Sequence, residues 1–444
     1  MNPASEPWDC PIVTASNDAQ AAARPAGLHR HRHSRRRPLR VPSARPVAPA
    51  YRPGAELLLC CARTHLGPGL ADRIKSLAQE GIDWSHLVEL ARTNGVTPLL
   101  YRSLAATCAE AVPRAAMGLL KQHYRANALR SLVLTAELLE LLKLLDAHGV
   151  QAVPFKGPVL AARAYGDIAF REFCDLDILV HPRDARRARG LLVSHGYRPH
   201  EEMPGGKECS ACWQKHWLMV RADGSIAVEL HWRITGRHFP RAIDHHRLWD
   251  RLGEASLMGT TVRTLCPEDT LLVLAAHGTA HCWDRLTFVC DLAQLIHSQG
   301  QLRWDTVAEQ ARRMGSGGML RVGLALAGDL LGVATPEDAL AEMAPDGAIS
   351  SIAREASQQI LSAEPNVIGH VERVGLRLRT MDRLRDKLLF CIGLMRDSLS
   401  PNMTDRSSVP LPKLLNPLYY LVRPVRIAVT YGPSALRYLI RGAP

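Results

Sequence analysis

Two aspartates lie in a strand-like run within the stretch FREFCDLDILVHP, residues 170–182 of the 444-residue chain. Asp175 and Asp177 directly precede a run of apolar residues that is typical of a buried β-strand. Because side chains alternate between the two faces of a strand, both carboxylates point to the same side. Like charges side by side disfavour a strand, so two explanations are open: the solvent face of an edge strand, or a bound divalent cation.

Strands and helices alternate around this stretch. VQAVPF (150–155) predicts a short strand, and PVLAARAY (158–165) predicts a helix that begins at Pro158. After the aspartate strand, RDARRARGLLVSHG (183–196) predicts a second helix that ends at Gly196. The predicted order is therefore strand, helix, aspartate strand, helix.

A β-hairpin is predicted further along the chain, in HWLMVRADGSIAVELHWRI (216–234). Asp223 and Gly224 form a strong turn signal between two strand-like runs. In the second run, Glu229 and His231 share one face and the apolar residues share the other. A third carboxylate is thus predicted on a strand.

An anion-binding turn is predicted just before the aspartate strand. Lys156 and Gly157 precede the predicted helix, so the backbone N–H groups of Val159 and Leu160 are expected at its N-terminus, which attracts phosphate. The three strand carboxylates form an oxygen-only ligand set that suits Mg²⁺ or Mn²⁺ better than zinc. Two such ions, about 4 Å apart, bind the attacking and leaving oxygens of an in-line displacement at phosphorus.

Helical patterns flank this central region and predict an α+β fold, a small mixed β-sheet with N- and C-terminal helical domains. The predicted organisation is a disordered Arg-rich leader (1–50), a helical region (51–149), an α/β core (150–240), a helical domain (241–400) and a tail rich in proline, aromatic and basic residues (401–444). The tail is expected to pack on the protein surface, with a membrane surface as the alternative.

Composition narrows the class of protein. The net charge of +12 is concentrated in residues 24–45, which contain eight arginines and no acid, so nucleic acid is an unlikely partner and a solvated leader is favoured. No apolar run reaches the length of a transmembrane span, which is about 20 residues. Eleven scattered cysteines and the absence of a signal-peptide pattern favour the reducing cytoplasm.

Two other motifs have a simple structural explanation. His277 and His281 stand four residues apart on a predicted helix, but without a nearby glutamate they are expected to be core histidines. Cys209 and Cys212 lie close to His216, yet a structural zinc site needs a second ligand pair, which the local sequence does not supply.

The motif FKGPVLAARAYGDIAFREFCDLDILV, followed by HGY and VELHW, resembles the uncharacterised bacterial nucleotidyltransferase-like family of the DNA polymerase beta-like superfamily. The similarity is close from Val150 to Trp232 and looser through the helices to Leu331, including Asp291, which is expected to buttress the packing. Each part alone is a weak motif, whereas their order and spacing together are specific.

The resemblance implies an enzyme that transfers a nucleoside monophosphate from an NTP to a hydroxyl-bearing acceptor, a small molecule or a peptide, with Mg²⁺ or Mn²⁺ as cofactor. It implies that Asp175, Asp177 and Glu229 are the catalytic metal ligands, and that Glu229 helps to deprotonate the acceptor. His231, on the same face, is expected to orient Glu229 or to contact the substrate.

The resemblance also implies a nucleotide-binding set. Gly157 would be the phosphate-turn glycine. Lys156 and Arg171 would pair with the nucleotide phosphates, with bracing of the aspartates as the alternative role of both. Pro158 departs from the family pattern, which has serine or glycine there, because it removes both a hydroxyl and an N–H. This departure supports the alternative function, a non-catalytic nucleotide- or protein-binding module that retains the fold.

Overall fold

The computed structural model confirms the α+β class. It describes residues 53–200, 216–234, 248–300, 302–335, 347–362 and 369–399, and short pieces between 408 and 429. The predicted leader, the pair Cys209 and Cys212, and most of the tail lie outside the described residues.

Five helices precede the sheet: α1 (Pro53–Cys61), α2 (Pro68–Ala78), α3 (Trp84–Thr93), α4 (Thr97–Thr107) and α5 (Arg114–Ala147). Helix α3 begins where the Asp83 side chain accepts a hydrogen bond from the backbone N–H of His86. Helix α5 spans 34 residues, and Gly149 follows its end with a left-handed φ of 66°.

The central sheet has five strands in the order β1-β2-β5-β4-β3. Its elements are β1 (Ala152–Pro154), α6 (Gly157–Leu160, extended by a π-helical turn to Tyr165), β2 (Asp175–Val180), α7 (Ala185–Ser194), β3 (Tyr197–Pro199), β4 (His216–Arg221) and β5 (Ala227–His231). Strands β2 and β5 are parallel, and the other neighbours are antiparallel. The aspartate strand β2 is therefore internal, so the edge-strand explanation is wrong.

The two faces of the sheet differ in chemistry. Leu176, Ile178 and Val228 lie on the face that packs on the C-terminal half of α5 and on α7, in one hydrophobic cluster. The opposite face carries the acidic residues of β2 and β5. The apolar residues that alternate along these strands thus pack the sheet against the helices. The carboxylates between them face away from that cluster.

The C-terminal part contains the hairpin β6 (Gly253–Leu257) and β7 (Thr260–Thr264), then α8 (Pro267–Ala280), α9 (Leu286–Ser298), α10 (Trp304–Met314), α11 (Gly317–Leu331), α12 (Gly347–Ile360), α13 (His370–Arg379) and α14 (Leu384–Leu399). The sequence interpretation missed this hairpin. Its turn uses Met258 and Gly259, both with positive φ, and Met at such a position is not a usual turn signal.

One hydrophobic cluster joins both helical regions. It contains Leu57 and Leu120 from the N-terminal helices, Leu179 from the sheet, and Trp283 and Ile360 from the C-terminal helices. The N- and C-terminal helices therefore share a core. Among the described residues, no helix combines the length and the apolar character needed to cross a bilayer.

Trp283 occupies the centre of the C-terminal helices and is fully buried. Glycines on two helices make room for its indole, because a Cβ atom at Gly278 or Gly323 would lie 2.6 Å or 2.7 Å from a ring carbon. Real Cβ atoms do not approach so closely, so the tryptophan and the two glycines depend on one another.

Gly323→Ala is expected to lower the free energy of unfolding by about 1–3 kcal/mol, because the new methyl group overpacks the Trp283 site. Gly328→Ala, in the same helix, is the matched control: its Cβ would meet only the Val333 carbonyl oxygen, at 3.7 Å. The control is expected to leave stability unchanged or to raise it by up to about 1 kcal/mol. Urea denaturation measures both, and equal effects would contradict the packing explanation.

Candidate active site

The parallel pairing of β2 with β5 brings the acidic residues together. Asp177 lies directly opposite Glu229 in the register, and Asp175 lies opposite Ala227. Asp175, Asp177 and Glu229 therefore occupy one face of two adjacent strands, as the alternation in sequence predicts. The Asp177 side chain is buried, whereas 24% of the Glu229 side chain is exposed, so the cluster is open to solvent on the Glu229 side.

Lys156 neutralises part of this negative charge. Its Nζ lies 2.7 Å from Oδ1 of Asp177, and both side chains are largely buried. Burial alone would lower the pKa of Lys156, but the charges of Asp177 and Glu229 outweigh it and raise that pKa. The ammonium is therefore held in its charged form beside the carboxylates.

The other carboxylates respond in opposite directions. Burial and the neighbouring charge of Asp177 raise the pKa of Asp175 to about 7. Burial also pushes the pKa of Asp177 upward, but Lys156 and the hydrogen bond from His231 act against it, and that pKa lies below its usual value. Asp177 is thus the fixed anion of the pair, and Asp175 is the carboxyl that gains most from an added cation.

His231 bridges the two strands. Its Nε2 lies 3.1 Å from Oδ1 of Asp177 and 2.9 Å from Oε2 of Glu229, and its Nδ1 lies 3.3 Å from the backbone oxygen of Arg233. Each ring nitrogen faces only acceptors, so both carry a proton in this arrangement. Burial lowers the pKa of His231, but the hydrogen bonds to Asp177 and Glu229 raise it above its usual value.

His216 completes the cluster and was not predicted as a site residue. It pairs with His231 across the β4–β5 hairpin, and its Nε2 lies 3.6 Å from Oε1 of Glu229. The hairpin register was the signal that could have found it, because a two-residue turn at Asp223 and Gly224 places residue 216 opposite residue 231.

The donor set fits a divalent cation. Each of His216, Glu229 and His231 offers one ligand atom, and these atoms all lie within 4.8 Å of one another. Within the described ranges, no other group of three potential metal ligands converges so closely. Asp175 and Asp177 lie beside it on β2 and add carboxylate oxygens.

Gly157 occupies the predicted turn in a conformation that favours glycine. Its φ is 53°, and a Cβ there would lie 3.3 Å from the backbone oxygen of Asp175. The glycine thus permits the turn to approach the first residue of β2. Residues 157–160 are buried, and Pro158 supplies no N–H, so fewer backbone donors are available there than the family pattern implies.

The Arg171 side chain contacts Asp291 rather than the carboxylates of the sheet. Its Nε and Nη2 donate to the two oxygens of Asp291, at 2.7 Å and 2.8 Å, and the Tyr165 hydroxyl donates to the same carboxylate at 2.7 Å. Asn127 donates its side-chain amide to the backbone oxygens of Ala169 and Arg171. These contacts anchor the segment that leads into β2 to helices α5 and α9, while a nucleotide-binding role of Arg171 remains a prediction.

His277 and His281 lie away from this cluster at the end of α8. Their rings are 4.7 Å apart, and each lies 5.2 Å from the ring of Phe288. The pair therefore packs against an aromatic side chain, but both histidines are half-buried at the edge of the core rather than inside it.

The comparison with known proteins agrees with this architecture. No curated protein matches the chain. Residues 80–332 match the family described as uncharacterised nucleotidyltransferase, and the match extends from α3 through the sheet to the end of α11. More than half of the chain is included, and the chain therefore belongs to this nucleotidyltransferase family.

Proposed function

We propose that the protein transfers a nucleoside monophosphate from an NTP to a hydroxyl-bearing acceptor, a small molecule or a peptide, with Mg²⁺ or Mn²⁺ as cofactor. The observation that carries the proposal is the register of Asp177 against Glu229, with Asp175 on the same face. Membership of the nucleotidyltransferase family supports it. The polymerase beta-like superfamily remains part of the proposal.

In this scheme, Asp175, Asp177 and Glu229 hold the divalent cation, which screens the triphosphate charge and lowers the pKa of an oxygen that it binds. Lys156 keeps Asp177 oriented and adds a positive charge for the phosphates. The Glu229 side chain is 24% exposed, against 2% for Asp177, and Glu229 accepts the proton of the acceptor hydroxyl.

The bond changes are those of an in-line displacement. The acceptor oxygen forms a bond to the α-phosphorus, the bond from that phosphorus to the α,β-bridging oxygen breaks, and pyrophosphate leaves with the electron pair. The proton of the hydroxyl moves to Glu229. The ammonium of Lys156, which contacts Asp177, stabilises the negative charge that develops on the pyrophosphate leaving group.

Labelled nucleotides test the reaction. Each NTP, labelled at the α-phosphate, is incubated separately with the protein, Mg²⁺ and a cell extract. We expect at least one of these NTPs to label an acceptor and to release unlabelled pyrophosphate. The same NTP labelled at the γ-phosphate is the control and is expected to leave the acceptor unlabelled. Transfer of the γ label would indicate a kinase, and transfer of neither label would favour the non-catalytic binding module that Pro158 suggests.

Thermal unfolding tests the metal and nucleotide site without a known acceptor. At a concentration near 100 times Kd, an NTP with Mg²⁺ is expected to stabilise the folded protein by about 2.7 kcal/mol, which raises Tm by a few degrees. The double variant Asp175→Asn, Asp177→Asn is expected to lose this increase. Glu140→Gln, on the exposed face of α5, is the control that keeps it. An equal increase in the double variant would remove the two aspartates from the site.

A further inference from the structure

We propose that His216, Glu229 and His231 form a binding site for a first-row transition-metal ion and make the active site prefer Mn²⁺, Co²⁺ or Zn²⁺ to Mg²⁺. The inference deepens the proposed function, since Glu229 belongs both to the catalytic carboxylates and to this metal site. Only the role of the ion in catalysis rests on the proposed function. The binding of metal by the three side chains is a property that can be measured without a nucleotide.

The position of Glu229 between two imidazoles carries the inference. One carboxylate oxygen lies 2.9 Å from Nε2 of His231, and the other lies 3.6 Å from Nε2 of His216. Metal–ligand bonds of about 2.1 Å place neighbouring ligand atoms roughly 3.0 Å apart in octahedral coordination and roughly 3.4 Å apart in tetrahedral coordination. The two observed spacings are close to these values but involve different oxygens of Glu229, and the three ligand atoms all lie within 4.8 Å of one another, so a shift of the side chains brings them around one ion.

His231 is oriented as a metal ligand usually is. Its Nδ1 donates to the backbone oxygen of Arg233, and Nε2, which faces the carboxylates, binds an ion by releasing its proton to solvent. Metal-bound histidines commonly donate their second N–H to a backbone carbonyl or a carboxylate in this way. The Phe155 and His231 rings pack nearly perpendicular to each other, with 5.0 Å between centroids, and this contact restrains the plane of the imidazole.

The chemistry of the donors determines the preferred ion. Mg²⁺ takes oxygen ligands almost exclusively, whereas Mn²⁺, Co²⁺ and Zn²⁺ accept imidazole nitrogen. One oxygen of Asp177 is already in contact with the Lys156 ammonium and with His231, so the all-oxygen set on the sheet is partly engaged. His216, Glu229 and His231 place two nitrogens and a carboxylate within 4.8 Å of one another, and this mixed set favours the transition metals.

Pulsed EPR on the full chain loaded with Mn²⁺ tests the assignment. Imidazole nitrogen bound to Mn²⁺ gives a ¹⁴N coupling that carboxylates and water do not give. We expect this coupling in the wild-type protein, a reduced coupling in His216→Ala, and its loss in the double variant His216→Ala, His231→Asn. His195→Ala, at an exposed position beyond α7, is the matched control and is expected to keep the full signal.

Binding titrations give a second readout. Mn²⁺ is expected to bind at least about 10-fold more tightly than Mg²⁺, and His216→Ala is expected to weaken Mn²⁺ binding about 10-fold or more while changing Mg²⁺ binding by less than about 3-fold. His216 is partly exposed, so this variant is expected to fold, and its Tm is measured alongside.

Two results would overturn the inference: Mn²⁺ that binds without ¹⁴N coupling, or no Mn²⁺ binding at all in the absence of nucleotide. Neither depends on transfer activity. A protein that shows the coupling but transfers no α label would retain the metal site and lose the proposed reaction, so the two failures are distinguishable.

Discussion

Glu229→Gln is expected to lower turnover by a factor of about 100 or more and to leave NTP affinity within a few-fold of the wild type. The substitution keeps the shape of the side chain and nearly its volume, but an amide cannot accept the proton of the acceptor hydroxyl. Asp175, Asp177 and Lys156 stay unchanged, so two of the three proposed metal ligands and the ammonium that faces the phosphates are retained. Turnover with the labelled acceptor and NTP affinity from the thermal shift measure the two quantities.

Glu254→Gln is the control for this substitution, because Glu254 also lies on a β-strand but is exposed on the separate β6–β7 hairpin. It is expected to have wild-type turnover. Full activity of the Glu229 variant would show that this carboxylate is only a strand residue that faces solvent. A parallel loss of NTP affinity and turnover would place Glu229 in nucleotide binding and contradict its role as a base.

Asp291→Asn is expected to lower the free energy of unfolding by about 3–5 kcal/mol, the usual cost of leaving one partner of a buried ion pair without compensation. The Asp291 carboxylate accepts two hydrogen bonds from Arg171 and one from Tyr165, and all three side chains are buried. The amide removes the charge that opposes the buried guanidinium. The urea midpoint measures the loss.

An exposed ion pair provides the comparison. Glu140 contacts Lys143 on the surface of α5, and Glu140→Gln is expected to change stability by less than about 1 kcal/mol. The double replacement Arg171→Met, Asp291→Leu removes both charges together and is expected to be less destabilising than Asp291→Asn alone. If Asp291→Asn behaved like the surface variant, the buried pair would not hold the segment before β2 in place.

The acidic face was predictable from sequence because its rules are local. Alternation along β2 places Asp175 and Asp177 together, and the Asp223-Gly224 turn places Glu229 on the second strand of a hairpin. The strand before them and the hairpin after them were also predicted from the sequence pattern, whereas β3 and the order of strands in the sheet were not. The parallel register of β2 against β5 did not, because pairing between residues 52 positions apart depends on packing across the whole sheet.

The partners of the charged residues were the part that sequence could not supply. Arg171 was assigned to nucleotide phosphates because it precedes β2, yet its guanidinium contacts Asp291, 120 residues later in the chain. For Lys156, the sequence left open pairing with phosphate or bracing of the aspartates, and in the structure it contacts Asp177. A charged side chain can pair with any opposite charge that the fold brings near, so its partner is a tertiary property.

The shared core of the two helical regions has a consequence for synthesis. Residues such as Leu57 and Leu120 belong to the same hydrophobic cluster as Ile360, so the first helices leave the ribosome long before their partners are made. At about 5–20 residues per second, this interval is on the order of ten seconds or longer. During that time apolar surface of the early helices stays uncovered, and we expect the nascent chain to rely on holding chaperones until the last helices close the core.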